Sequence, residues 1–483
     1  MARTTGVWLS YFRSAIGVLW IFELVLGRWW KLGLTSGLHP GWFGPEAGAE
    51  LTRLGERAIA DGAFPWMQWL LETLILPNAA AWSVAAGVLE LAIALSFTLG
   101  LFARLFALLA LALSFVILNL EPTGIHPFFA MGHLIVLWSG GGTVGLDRLL
   151  LARCRRATSA GSRIVTGAIN LRILPQRALP LLASACILGG VYHGLQLTQI
   201  QAVRLQAAAL ELAVLLSLAG VGLFAMRERR DPGVVSLDLA RIFVGFKLLQ
   251  SAIVRSDAGL DGIPGLGPTA AVEAAFQDIV THHFAAVAAF VDGMVLPHLS
   301  AWTVGLLLVQ GVAGALLLLG WHARLGAILG VGLAAFLVGI GFVRLAPFLL
   351  VTLVLLAGAG SGRVFSVDGH GRIRSPGSPA PLPLGLHTTA PLAAIAVVCL
   401  LLALIAGLET AGYVTTMPGF SAFFLALPAG TLVVIARLAT PRVRDIARSG
   451  AGRSGNGTRN GRAPRHPASA GLGATELEGK TSR

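Results

Sequence analysis

Charged side chains are scarce in this chain, at 12% of 483 residues, and a few of them interrupt long apolar runs. An ionised group in hydrocarbon is costly, so each is a candidate for function. Arg13, Glu23, Glu90, His133, His193 and Glu211 are of this kind. A helix rises about 1.5 Å per residue. Counted from the arginine-rich side of a core about 30 Å thick, Arg13 lies roughly 9 Å deep and Glu90 roughly 14 Å deep. At those heights the two side chains are long enough to meet, and pairing would offset much of the desolvation cost. Glu23, His133, His193 and Glu211 form a second layer at roughly 20–24 Å. There a carboxylate beside an imidazole can relay protons. Arg13, Glu90, His133 and Glu23 are therefore the candidate catalytic residues. The alternative is that these groups only pair helices with one another.

Metal chemistry has no sequence support. Cys154, Cys186 and Cys399 form no CxxC pair, so zinc and c-type haem signatures are missing. His282 and His283 are adjacent and face different ways on a helix, which argues against a metal pair.

The elements that must hold these residues are apolar helices. Hydrophobic residues make up 55% of the chain, and a soluble domain carries about twice this share of charge. Twelve runs are long enough to be read as transmembrane helices: 7–26, 79–99, 104–119, 127–143, 179–197, 205–225, 238–254, 299–319, 323–341, 346–360, 391–408 and 420–438. The first run has no small-residue cleavage site after it, so it reads as a span and not a signal peptide.

The net charge of +13 is explained by topology. With the N-terminus inside and the spans alternating, 26 Lys and Arg fall in inner segments, 7 in outer segments and 3 within spans. That asymmetry predicts a plasma-membrane protein with both termini cytoplasmic. Trp29, Trp30, Trp42, Trp66, Trp69, Trp82 and Trp302 gather near the outer interface, the level that amphipathic rings prefer. No stripe of basic and aromatic residues is present, which excludes nucleic acid as a partner.

An offset of 220 residues aligns the two halves. Pro77, Trp82, Gly100, Arg104 and Pro127 match Pro297, Trp302, Gly320, Arg324 and Pro347. With a slightly larger offset, Arg13 and Gly17 match Arg241 and Gly245. The chain therefore divides into a four-helix block (7–150), a basic linker and helical hairpin (151–230), a second block (238–368), a second linker and hairpin (369–440) and a basic tail (441–483). The tail's composition predicts disorder. An even number of spans per copy makes the repeat parallel. The stretches 48–72 and 269–294 are amphipathic and are expected as helices lying on the outer surface. The copies are unequal: Glu90, His133 and Glu23 correspond to Gln310, Leu353 and Ser251, so any chemistry is expected in the first.

Each block resembles the DoxX-like membrane family, which includes the DoxD subunit of thiosulfate:quinone oxidoreductase. The matching pieces are Arg13 and Gly17, Trp30-Lys31, Pro77 with Glu90, Leu99-Gly100-Leu101-Phe102-Ala103-Arg104, and Gly145-Leu146-Asp147. They cover 10–150 closely and 238–368 more loosely. The apolar runs and the repeat predict an all-α integral membrane fold of about twelve helices, as two parallel six-helix repeats in the lipid bilayer, and the resemblance implies that the four-helix block of each is DoxX-like. It also implies a membrane subunit that couples oxidation of a small sulfur oxyanion to reduction of a membrane quinone, with a separate partner subunit or soluble redox protein. On that reading Arg28 and Lys31 would attract the substrate dianion at the outer mouth, and Arg13 with Glu90 would serve quinone or proton transfer. The quinone is a substrate; no flavin, haem or iron–sulfur motif is present. Two other functions fit a helical membrane protein with intramembrane acids: a secondary transporter of a small solute, and a non-catalytic scaffold whose outer helices bind a partner.

Overall fold

The computed structural model describes residues 2–25, 40–44, 46–120, 126–154, 159–170, 178–197, 203–228, 230–253, 270–341, 346–360, 365–367, 382 and 417–439. Among them every regular element is helical. The predicted span 391–408 and the tail 441–483 lie outside the described residues.

Helix α1 (Ala2–Val25) is followed by α2 (Pro40–Phe43) and α3 (Ala49–Ala60). Helix α4 (Pro65–Leu70) then continues through a π turn (Leu71–Ile75) and a 3-10 turn (Leu76–Asn78) into α5 (Ala79–Leu99). Next come α6 (Ala103–Leu120), α7 (His126–Ser139), α8 (Leu146–Cys154) and α9 (Ala160–Asn170). The pair α10 (Leu179–Gln196) and α11 (Val203–Arg227) leads to α12 (Pro232–Ile253), α13 (Ala270–His282) and α14 (Ala285–Phe290). A second π turn (Val291–Val295) and 3-10 turn (Leu296–His298) carry α14 into α15 (Leu299–Leu319). Helices α16 (Ala323–Gly339), α17 (Ala346–Ala359) and α18 (Met417–Ala439) complete the described fold.

Among the described residues six helices are long and apolar enough to cross a membrane: Thr4–Phe22, Pro65–Leu99, Leu179–Gln196, Ala208–Arg227, Ala285–Leu319 and Ser421–Ala439. Ala103–Leu118, Ala323–Gly339 and Ala346–Ala359 are apolar but shorter. Six such helices define a multi-pass membrane protein.

The expected surface helices need correction. Only the first part of each stretch is a separate helix, α3 or α13. The second part begins at Pro65 or Ala285 and runs without a break into the span, giving helices of 35 residues, about 52 Å long. Pro77 and Pro297 sit inside these helices without ending them, because the irregular turn absorbs them. In that turn Trp82 Nε1 donates to the Leu74 carbonyl at 3.0 Å, and Trp302 Nε1 donates to Met294 at 3.0 Å. The indole supplies a donor where proline removes one.

Helices α1 and α12 each pack against several neighbours. In α1, 89% of the Thr4–Phe22 window is buried. Helix α1 packs on α5 and α17, and α12 packs on α15 and α7. The hairpin helix α11 lies against α7 and α12, while α18 lies against α1, α16 and α17. Close approach is set by Gly17 and Gly245. A Cβ at Gly17 would stand 2.4 Å from the Thr98 amide nitrogen, and one at Gly245 2.5 Å from that of Leu318. No side chain larger than hydrogen fits either crossing.

Candidate functional site

Arg13 is where the sequence places it, buried on α1, but its partners are backbone carbonyls and the Ser14 hydroxyl. Helix α5 ends at Gly100, whose φ of +68° is a left-handed cap; such ends leave carbonyls without helical partners. Arg13 Nε donates to the Phe97 carbonyl at 2.8 Å, and Nη1 donates to Gly141 and Val144 at 3.0 and 2.9 Å. Nη2 donates to Ser14 Oγ at 3.0 Å. The α5 C-terminus is also the negative end of a helix dipole, which suits a guanidinium. Arg241 repeats the arrangement on α12, donating to the carbonyls of Leu317, Leu318 and Phe365.

Asp147 completes this junction. Its Oδ1 accepts from the Phe102 amide at 2.7 Å and its Oδ2 from the Ala103 amide at 3.1 Å. Those bonds hold Phe102 at a φ of +51°, an uncommon conformation for a non-glycine residue. Burial raises the Asp147 carboxyl above its ordinary value, opposed by the two amides and by the charges of Arg13 and Arg104.

The expected Arg13–Glu90 pair does not form. Glu90 is 5% exposed on α5 and lines a different feature, a cavity of about 360 Å³ enclosed by α1 to α7. Its wall is apolar apart from Glu90 and His126, and carries the rings of Trp20, Trp42, Trp82 and Phe129. A volume of this size suits a small ligand. One carboxylate in an apolar, aromatic wall can orient a lipophilic ring by a single polar contact.

His133 is fully buried beside this cavity. Trp20 Nε1 lies 3.0 Å from His133 Nε2, and Ser114 Oγ lies 3.0 Å from Nδ1. An indole nitrogen only donates, so Nε2 accepts, and Nδ1 carries the proton and donates to Ser114. Protonating Nε2 would break the bond to Trp20. His133 therefore fixes a cavity-lining tryptophan in place. The side chain of Glu23 and the whole of Arg28 and Lys31 lie outside the described residues.

His193 and Glu211 are also apart. His193 packs edge-on to Phe64 at 4.7 Å between ring centres, with Trp66 and Phe115 beside it. Glu211 pairs with Lys247, both almost fully buried between α11 and α12. Among the described residues no group of histidines, cysteines and acids could hold a metal ion.

Sequence reasoning missed Trp20 and Ser114, since neither is ionisable. It also left Asp147 without a role, although Asp147 sits in the quoted Gly145-Leu146-Asp147 motif. In the second half Gln310 stands at the Glu90 position and Leu353 at that of His133, both fully buried. These features define the class, an all-helical multi-pass membrane protein with one ring-lined cavity described in its first half. Comparison with family models, curated proteins and solved structures finds no match to this chain.

Proposed function

We propose that this chain is a DoxX-like membrane protein of twelve spans, in two parallel six-helix copies with both termini cytoplasmic. We further propose that its first copy binds a quinone-type ring as the membrane subunit of a quinone-linked sulfur-compound oxidoreductase. The cavity beside Glu90 carries this reading: apolar and aromatic walls suit the ring, and the Glu90 carboxyl, when it carries a proton, can donate to a ring oxygen. Reduction of a quinone takes two electrons and two protons; Glu90 and His126 are the groups at the wall that can each hand a proton to a ring oxygen. A partner subunit supplies the electrons from the sulfur oxyanion, drawn in by Arg28 and Lys31.

The duplication is supported by geometry that recurs at the offset of the repeat. The π and 3-10 turns, the Trp82 and Trp302 bonds and the Arg13 and Arg241 caps all occur in pairs. Where the second copy has Leu307, the first has Gly87, on which the Phe43 ring sits so closely that a Cβ would stand 2.1 Å from it.

The reading is tested by thiosulfate-dependent quinone reduction in membranes that hold the chain with its native partners. Glu90→Gln is expected to lower the rate more than tenfold, in line with loss of a general acid, while the amount of protein in the membrane is unchanged. A wild-type rate would contradict it. Solute uptake by the purified chain in liposomes, without quinone binding, would move the reading to a transporter.

A further inference from the structure

Helices α8 and α9 carry a surface that the cavity does not use. Both are tied to the bundle at defined atoms. Asp147, in the first turn of α8, holds the amides of Phe102 and Ala103. Arg104 Nη1 donates to the Asn170 carbonyl at the end of α9 at 3.2 Å, and Nη2 donates to Trp138 at 3.3 Å. Ser162 and Ile169 turn the inner side of α9 toward the protein.

The opposite side is neither a water-facing nor a core-facing pattern. No residue of α8 is buried. Leu149 is 62% exposed and Ile164 is 73% exposed. Arg148, Arg153 and Arg163 are exposed beside them. The acid within these two helices is Asp147, and both its oxygens are committed to the bundle. Bare leucine and isoleucine set among unbalanced arginines is the composition of a helix lying in the headgroup layer.

We propose that this face of α8 and α9 binds anionic phospholipid. Leu149 and Ile164 enter the acyl boundary, and Arg148, Arg153 and Arg163 take the phosphate groups. The charge of the face and the absence of a free acid on it select a negative headgroup over a zwitterionic one. The inference is independent of what occupies the cavity.

The test uses the full-length chain in neutral detergent, titrated with phosphatidylglycerol, phosphatidylcholine or inorganic phosphate while its melting temperature is read. Phosphatidylglycerol is expected to raise the midpoint at concentrations where phosphatidylcholine and inorganic phosphate do not. In the variant R148Q/R153Q/R163Q the concentration required rises more than tenfold, since each arginine near a charged surface contributes about fivefold. A second full-length variant, with Arg453, Arg459, Arg462 and Arg465 changed to Gln in the tail, keeps the wild-type response. If the triple variant does not purify, Arg153→Gln alone is read, with about a fivefold increase expected. An unchanged response in the face variants, an equal response to phosphatidylcholine or inorganic phosphate, or loss of the response in the tail variant overturns the proposal.

Discussion

A guanidinium buried in an apolar bundle needs acceptors, and Arg13 finds them at the end of a helix. Depth counting gives its height and that of Glu90, but not the rotation of either side chain about its helix. That is why the Arg13–Glu90 pair looked plausible from the sequence and does not form. Carbonyl caps are also invisible in sequence, because every residue has a carbonyl. We expect Arg13→Gln to lower stability by about 2–4 kcal/mol, since buried carbonyls lose a charged donor. Arg13→Lys should not restore it, because a point charge cannot span acceptors on separate turns. Thermal melting of the solubilised protein reads both; a midpoint unchanged in Arg13→Gln would refute the cap. His133 gives a second prediction. His133→Leu places in the first half what the second half has at Leu353, so the helices should still assemble. The Trp20 indole then loses its acceptor, and ligand affinity should fall about tenfold, consistent with one orphaned buried donor. Affinity unchanged in that variant would show that the Trp20 bond does not shape the cavity.

At the scale of elements, most helix positions are legible. Long apolar runs have few other solutions, and the cores of eleven predicted spans are found as helices. The irregular turns at 71–78 and 291–298 are not legible, because proline usually marks a helix start or stop; here an indole five residues after the proline compensates. The Lys247–Glu211 pair was missed for the same reason as the Arg13 cap, since it depends on which faces of α11 and α12 meet. Removing one partner, in Glu211→Gln or Lys247→Met, should cost about 3–5 kcal/mol, whereas Glu211→Leu with Lys247→Met should lie near the wild type. A double variant as unstable as the singles would refute this. His283 joins α13 to α18, with Nε2 3.2 Å from Ser421 Oγ. Burial lowers its pKa to about 4, while the unfolded chain titrates near the ordinary value of about 6.5. Between those values the unfolded state binds the extra proton, so the contribution of His283 is complete above pH about 6.5 and is lost as pH falls toward 4. The melting temperature of His283→Asn should depend less on pH across that window, and an unchanged slope would contradict the assignment.

For the whole molecule, the residues that match between the two halves are the most readable from sequence, because turns and close crossings admit so few residue types. Gly17 with Gly245 and Gly100 with Gly320 are fixed by backbone geometry and so survive in both halves. The cavity is less readable, because the residues that line it come from seven helices and nearly half are ordinary leucines. If the spans number twelve, a reporter fused to either end must report the same side of the membrane; opposite sides would contradict the even count. The central claim is that the first half, and not the second, holds a lipophilic ring. Its most direct measurement is tryptophan fluorescence of the purified chain titrated with a water-soluble, short-chain quinone, in the wild type and in Ala86→Phe, which places a ring inside the cavity. The expected result is saturable quenching at one site in the wild type, lost in Ala86→Phe and retained when Gln310 is changed to Leu. Equal quenching in the wild type and Ala86→Phe would contradict the assignment of the cavity.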